Sequence, residues 1–597
     1  MASRVHDFAS VDAFDGATRR AATRDAYSPV MILLTIVSTI GVIYYGWFLL
    51  RPENRGDVLP WLIVIVSESI LVLHGLASMW TILAGQRDRR DWTYQATRAG
   101  LYDPSDPEVR ANIDDPTTWP LWMDGRMVGV DVLITVYGEP LEVIRRTAEA
   151  ALAIRGRHWT WILDDGRSDD VQALASELGC RYVRRLSNNG AKAGNINNAL
   201  TIAKGDYFVI LDADFVPLPG FIEQTLPFFE TATVAFVQTP QTYGNLHNFI
   251  SRGAGYMQSM FYRFVQPGRN AFNAAFCVGT NVIFRRAAID DIGGIYTDSK
   301  SEDVWTSLAL HGRGWRSIFL PETLAIGDAP DTIEAYAKQQ LRWATGGFEI
   351  LFTDNPLVTR RKLTLDQRLM YFVTATHYLT GIAPGLLLLV PVLEIFFDLR
   401  PVSLNVGIGE WVLAYAGFYG LQIILAFFTL GSFRIEVLML AASSFPIYMK
   451  AFMNVIIGRD TAWSVTGASK RAASPFNFLT LQVVTFVILV ATTAVGIWRD
   501  VLNSQIAIAT IWAGLNMVIL GSFLVVAMGE ARRLRRGDKG VRAIDAKSVA
   551  LGAFLAAPEP RSTPYTLILA ELRARQTDTD RNDPTSVPAM AIKETAS

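Results

Sequence analysis

Apolar runs long enough to cross a bilayer bracket one long polar block, and this division constrains the fold of the 597-residue chain more than any other feature. A membrane helix needs about 20 mostly apolar residues. Residues 30–50 and 59–83 meet that need before the block, and residues 374–397, 410–430, 476–498 and 506–528 meet it afterwards. The first run is not shaped like a cleavable leader and reads as an uncleaved span. The run 435–457 contains Glu436, Pro446 and Lys450 and reads as an interfacial segment. Arg87, Arg89 and Arg90 follow the second run, and Arg532, Arg533, Arg535 and Arg536 follow the last. Cationic flanks mark the cytosolic side, so an even number of spans must follow a cytosolic block, which gives about six in all.

The expected division is a cytosolic segment 1–27, two membrane helices in 28–85 and a cytosolic α/β domain in 86–355. Interfacial helices and the remaining spans follow in 356–530, then a cytosolic tail, 531–597. Residues 576–597 are polar and poor in aromatics, a composition that favours disorder. Glu68 falls inside the second run and reads as a partner for a neighbouring helix, outside any active site. The net charge of −1 leaves no concentrated basic face for nucleic acid. Two cysteines, Cys180 and Cys277, exclude a disulfide framework. The six histidines show no zinc-site spacing.

Within the block, β-rich runs at 130–136, 159–163, 181–183 and 207–211 alternate with helical patterns at 141–154, 169–178 and 194–203. Such alternation predicts a mainly parallel sheet covered by helices on both faces. Ligands of these sheets bind beyond the carboxyl ends of the strands. Asp164-Asp165-Gly166 and Asp212-Ala213-Asp214 both stand at such ends.

Asp212 and Asp214 can turn two carboxylates to one hard cation, as a nucleotide diphosphate leaving group requires. Asp164-Asp165-Gly166 is either a nucleotide contact or a strand-to-turn exit of ordinary composition. Lys192, placed just before a predicted helix, offers a cation beside free backbone donors, which suits pyrophosphate; alternatively, the neighbouring Gly and Asn only cap that helix. Asp303, in Ser301-Glu302-Asp303, is the candidate base for an acceptor hydroxyl, although acidic residues also favour a helix's first turn. Gln339-Gln340-Leu341-Arg342-Trp343 lies in a predicted helix over 333–352, with Gln339 and Trp343 on one face. Arg342 can oppose phosphate and Trp343 can face a sugar ring, or the motif is core plus solvated charge.

In this order, DDG, KAGNINNAL (192–200), DAD, QTPQ (238–241), FCVGT (276–280), SED and QQLRW resemble the family 2 glycosyltransferases that polymerise β-glucans, bacterial cellulose synthases above all. The resemblance runs over about 22–536. It implies a GT-A-type domain set among membrane helices, with Asp164, Asp165 and Lys192 at the nucleotide and Asp212 and Asp214 holding Mg²⁺ or Mn²⁺ and the donor. Asp303 would be the base, with Cys277 near the acceptor end and Gln339, Arg342 and Trp343 holding pyrophosphate and acceptor at a channel mouth. Residues 463–470 resemble the family's gating loop, with Thr466 matching in place as a donor contact. The implied reaction is inverting, from UDP-glucose to a growing β-glucan chain that is passed across the inner membrane. Membrane lipid and a periplasmic or envelope accessory subunit are the implied partners.

Departures from the pattern bear on linkage. SED replaces TED, Gly190 replaces a His, and Val278 is an extra residue between Cys277 and Gly279. These leave a β-1,3- or mixed-linkage, curdlan-type synthase as the alternative to a β-1,4 product. A nonprocessive transferase acting on a lipid carrier and a catalytically inactive transporter or scaffold are the remaining alternatives; the intact acidic positions weigh against the last. Arg532 and Arg536 have the spacing of a PilZ R-x-x-x-R, but Asp545-Ala546-Lys547-Ser548 misses the companion motif by one position. No complete PilZ domain, and no cyclic di-GMP control within these residues, is expected.

Overall fold

The computed structural model describes residues 29–85, 90–403, 405–430, 434–458, 474–536, 564–566 and 568–572. In lipid, backbone polar groups must be satisfied within the segment, and an apolar run does this by becoming a helix. The first two runs form α1 (Pro29–Leu50) and α2 (Val58–Ala84). Leu379–Phe397, Ile408–Thr429, Ile435–Ile457, Thr480–Asn503 and Ile508–Arg535 bring the helical stretches of spanning length and apolarity to seven among the described residues. Six of these coincide with the runs expected to span. Ile435–Ile457 consists of two helices, Ile435–Ser443 and Phe445–Ile457. The break falls at Ser444, and Pro446, which lacks an N–H, sits in the first turn of the second helix, where that N–H would have no partner within the helix. Glu68 accepts a hydrogen bond from Tyr419 Oη at 2.5 Å, tying α2 to a neighbouring helix as expected.

The polar block folds around a seven-stranded sheet. Its strands are β1 (Val130–Val136), β2 (Trp159–Asp164), β3 (Arg181–Arg184), β4 (Tyr207–Asp212), β5 (Val234–Gln238), β6 (Val282–Arg285) and β7 (Arg316–Phe319), in the spatial order β7-β5-β6-β4-β1-β2-β3. β4, β1, β2 and β3 run parallel, and β7 is parallel to β5. β6 is antiparallel to both neighbours. Val282 at its start pairs with Gln238 at the end of β5, so the chain re-enters the sheet at the end where it left. Alternate residues feed two cores: Val132, Ile134, Val209 and Leu211 on one face, Leu133, Phe208, Ile210 and Phe236 on the other. Both faces are therefore covered, as a parallel sheet requires.

Crossover helices α3 (Leu141–Leu152), α4 (Asp169–Leu178) and α5 (Ala191–Leu200) link the first four strands. α5 starts three residues earlier than the sequence pattern predicts, behind a left-handed Gly190. Lys192 therefore sits inside the first turn rather than before it. Two further helices, α6 (Glu302–Gly312) and α7 (Ile333–Thr353), carry the SED and QQLRW motifs.

The domain is packed directly on the membrane helices. A Cβ on Gly268, in the helix Gln266–Ala271, would lie 2.2 Å from Thr81 O of α2. Only hydrogen fits there, so Gly268→Val should force the two helices apart at about 1–3 kcal/mol. A lowered midpoint of thermal unfolding for the detergent-solubilised protein is expected, with Gly407→Ala, whose new methyl would meet nothing within 4 Å, unchanged. Equal midpoints for Gly268→Val and the parent would refute this close docking.

Candidate active site

A cleft of about 470 Å³ opens at the carboxyl ends of β1 and β4. Asp165, Lys192, Asp212, Asp214, Asp303, Gln339, Arg342 and Trp343 all line it. Residues more than 170 positions apart in sequence are thus brought to one wall-to-wall space. In-register pairing sets the first edge: Thr135 stands opposite Asp212, and its hydroxyl donates to Asp212 Oδ1 at 3.2 Å. The Asp212 N–H donates to Thr280 Oγ1 at 2.9 Å. Lys192 Nζ donates to Asp212 Oδ1 and, at 2.7 Å, to Gly279 O. One ammonium therefore joins the α5 start, the β4 end and the loop before β6. Burial opposes the charge on Lys192, but Asp212 and then Glu302 outweigh it and hold the ammonium above its ordinary range.

Asp303 enters from the first turn of α6, where Val304 N donates to its Oδ1 at 2.8 Å. Ser299 Oγ donates to Glu349 Oε2 of α7 at 2.6 Å. A Cβ on Gly346 would lie 1.9 Å from Ser301 Oγ. The SED turn is thus pressed onto α7. On α7 the 3.6-residue period divides the motif: Gln339, Arg342 and Trp343 line the cleft, while buried Gln340 accepts from Tyr448 Oη at 2.9 Å. Burial, and after it the negative charge of Glu302, pushes the Asp303 carboxyl up to about 7, against the pull of Lys192 and Arg342. Burial also raises Glu302.

Two sequence candidates, Asp164 and Cys277, stand outside the cleft lining. Asp164 is fully buried and does not line the cleft; its Oδ2 accepts from Ser168 N at 2.8 Å and Tyr182 Oη at 2.7 Å. Cys277 is buried behind the cleft, where its Sγ accepts from Gly279 N at 3.3 Å, and burial raises its thiol well above the ordinary range. Val278 and Gly279, not Cys277, reach the cleft. Thr466 and the rest of 463–470 lie outside the described residues. Asp165, by contrast, lines the cleft while held by Arg185 through Nε–Oδ1 at 2.5 Å and Nη2–Oδ2 at 2.7 Å. Arg185 also donates to Ala191 O at 2.6 Å, which ties the DDG turn to the turn bearing Lys192.

Sequence reasoning missed Glu139, Tyr243, Lys300, Asp328 and Asp331, which also line the cleft. Glu139 follows β1, and the carboxyl-end rule that flags Asp165 and Asp212 would have flagged it too. Tyr243 comes from a small three-stranded sheet (Val216–Pro217, Thr242–Tyr243, Ala325–Gly327) whose strands are too short to leave a periodic signal. Among the described residues no three His, Cys, Asp or Glu side chains converge as a metal cluster. Two carboxylates, Asp212 and Asp214, fit a hard cation that takes its other oxygens from phosphate and water.

Residues 207–455 match the model of the family described as "Glycosyl transferase family group 2". Over this stretch, less than half of the chain, the sequence is similar to family 2 glycosyltransferases. The match begins at β4 and takes in DAD, SED and QQLRW, the motifs that meet in the cleft. With its mixed, mostly parallel sheet, the domain has the expected GT-A-type architecture between membrane-length helices. The chain is similar to "Cellulose synthase catalytic subunit [UDP-forming]" of Xanthomonas axonopodis pv. citri (strain 306), 37% identical over 273 residues, which cover 44% of this chain and 37% of that one. The protein of that name from Pseudomonas fluorescens (strain SBW25) is 33% identical over 294 residues, 47% of this chain and 38% of that one. "Cellulose synthase 2" of Novacetimonas hansenii is 35% identical over 295 residues, 47% of this chain and 18% of that one. The alignments thus span less than two-fifths of these relatives' length. Among solved structures, a mannosyltransferase from Pyrobaculum calidifontis in complex with GDP-Man and Mn²⁺ aligns at a TM-score of 0.42 with 14% identity, over 67% of this chain and 100% of that one.

The raised Asp303 carboxyl has a kinetic consequence if it works as a base. Only its ionised form accepts a proton, so kcat/KM should rise with pH to a plateau, with a midpoint near 7. Glu302→Gln removes the neighbouring negative charge and should shift that midpoint to lower pH. A pH–rate profile with the same midpoint in both proteins would refute the coupling.

Proposed function

We propose that this chain is a processive, inverting, UDP-forming hexosyltransferase that polymerises glucose from UDP-glucose into a β-glucan and passes it across the membrane. The observation that carries the reading is the meeting of DAD, SED and QQLRW in one cleft of a domain packed on membrane-length helices. The names of the similar proteins point the same way.

In this reading Asp303 accepts the proton of an acceptor hydroxyl as its oxygen bonds to the anomeric carbon and the bond from that carbon to UDP breaks. Attack from the face opposite UDP turns an α-linked donor into a β-linked product. Asp212 and Asp214 would hold Mg²⁺ or Mn²⁺, which when bound neutralises diphosphate charge on the leaving group. Lys192 and Arg342 add positive charge toward the same phosphates, Asp165 and Gln339 contact the donor, and Trp343 offers its ring face to the acceptor sugar. Asp164 and Cys277 act at one remove, by fixing the turns that present Asp165 and Gly279. Thr466 closes over the donor. The domain faces the cytosol of an inner-membrane protein, and an envelope partner receives the chain. Val278, the extra residue lining the cleft, favours a β-1,3 or mixed-linkage, curdlan-type product as the second reading.

The test uses protein reconstituted in lipid with Mg²⁺ and radiolabelled UDP-glucose. Insoluble label that a β-1,4-glucanase alone releases is the expected result, and release by a β-1,3-glucanase alone selects the second reading. Asp303→Asn should lower turnover by about 10²–10⁴-fold. Unchanged turnover in that variant would overturn the base assignment.

A further inference from the structure

A second cavity, of about 270 Å³, lies where α7 meets Phe445–Ile457 and the start of Thr480–Asn503. Leu341, Ile447 and Phe478 give it apolar walls, and Lys338, Lys450 and Gln482 give it polar ones. Three features make it more than a packing defect. Gln482 is only 1% exposed; its Nε2 donates to Ser443 O at 3.0 Å, but among the described residues its Oε1 has no hydrogen-bond partner. A buried carbonyl left so has lost its water without a replacement and calls for a donor. Next, the 24-residue helix Thr480–Asn503 begins here, and its N-cap Leu479 supplies no side-chain cap, so the positive end of the helix is open. Finally, Lys338 is paired with Glu334 at 2.8 Å, whereas exposed Lys450 makes no ion pair among the described residues.

Negative charge is thus wanted beside Lys450 and the helix start, a hydrogen-bond donor beside Gln482, and apolar matter along Leu341, Ile447 and Phe478. The geometry points to a glycerophospholipid with an N–H- or O–H-bearing headgroup, phosphatidylethanolamine or phosphatidylglycerol. Its phosphate meets Lys450 and the open helix start, its headgroup donates to Gln482 Oε1, and its acyl chains follow the apolar wall. The site lies at the end of a membrane-length helix, where such a lipid is at hand. Lys338 and Leu341 also belong to α7, so the lipid rests against the back of the helix whose other face lines the cleft. The inference does not depend on the donor sugar or on the linkage.

Native mass spectrometry of the detergent-solubilised full chain, titrated separately with phosphatidylglycerol, phosphatidylethanolamine and phosphatidylcholine, tests it. The first two should bind more tightly than phosphatidylcholine, whose choline has no N–H or O–H to give. Lys450→Glu should weaken phosphatidylglycerol by about tenfold. Lys362→Glu, another exposed lysine that does not line the cavity, should change nothing. Gln482→Leu should erase the preference over phosphatidylcholine; if that variant does not fold, the parent's own preference carries the test. Undiminished binding by Lys450→Glu, equal binding of all three lipids, or displacement of the lipid by inorganic phosphate would each overturn the assignment.

Discussion

The close contact between Gly346 and Ser301 sets how the walls of the cleft come together. A helix approaches a turn so closely there that no side chain larger than hydrogen fits. On one side of the contact is α6, whose first turn holds Asp303; on the other is α7, whose cleft face holds Gln339, Arg342 and Trp343. Glu349 reinforces it by accepting from Ser299 Oγ. Without this approach Asp303 and Trp343 would belong to separate surfaces. With it they face Asp212 and Lys192 across one space.

The same helix links the cleft to the membrane helices. Ile333 N, at the start of α7, donates to both carboxylate oxygens of Glu530, at 3.1 and 3.2 Å, and Glu530 lies near the end of Ile508–Arg535. Midway along α7, Gln340 accepts from Tyr448 of Phe445–Ile457, and Tyr336 Oη shares a hydrogen bond with Ser444 Oγ. Each of these groups is buried, and a buried polar group held at both ends fixes position more firmly than apolar contact alone. The QQLRW motif therefore lies on one helix with two contacts: its cleft face lines the space shared with Asp212 and Asp303, and its other faces rest on membrane-length helices.

Much of this was legible in the sequence, for local reasons. Val130–Val136 and Asp169–Leu178 match the expected ranges residue for residue, because a run rich in β-branched residues marks the first and Ser168 and Gly179 cap the second. DDG and DAD stand at strand ends, so the place of Asp165, Asp212 and Asp214 in a cleft followed from the parallel sheet. What the sequence hid is set by tertiary contact. The Lys192 bridge to Asp212 and Gly279, and the start of α5 at Ala191, depend on Gly190 adopting a left-handed conformation that a run of small residues does not announce. Asp164 and Asp165 are adjacent in sequence yet part company, because successive side chains at a strand end point to opposite sides. Tyr243 ends a strand of two residues and Asp328 follows one of three, and strands that short have no period to read.

The most direct test of this account is Gly346→Ala, read by two measurements on the reconstituted protein: turnover of UDP-glucose and affinity for UDP. A methyl there must displace Ser301 and with it the α6 turn that holds Asp303. A misplacement of about 1 Å costs on the order of 10²-fold in rate. The account predicts a fall of that size in turnover with UDP affinity retained, since Asp165, Lys192 and Asp212 stand on other elements. Turnover equal to that of the parent would contradict it.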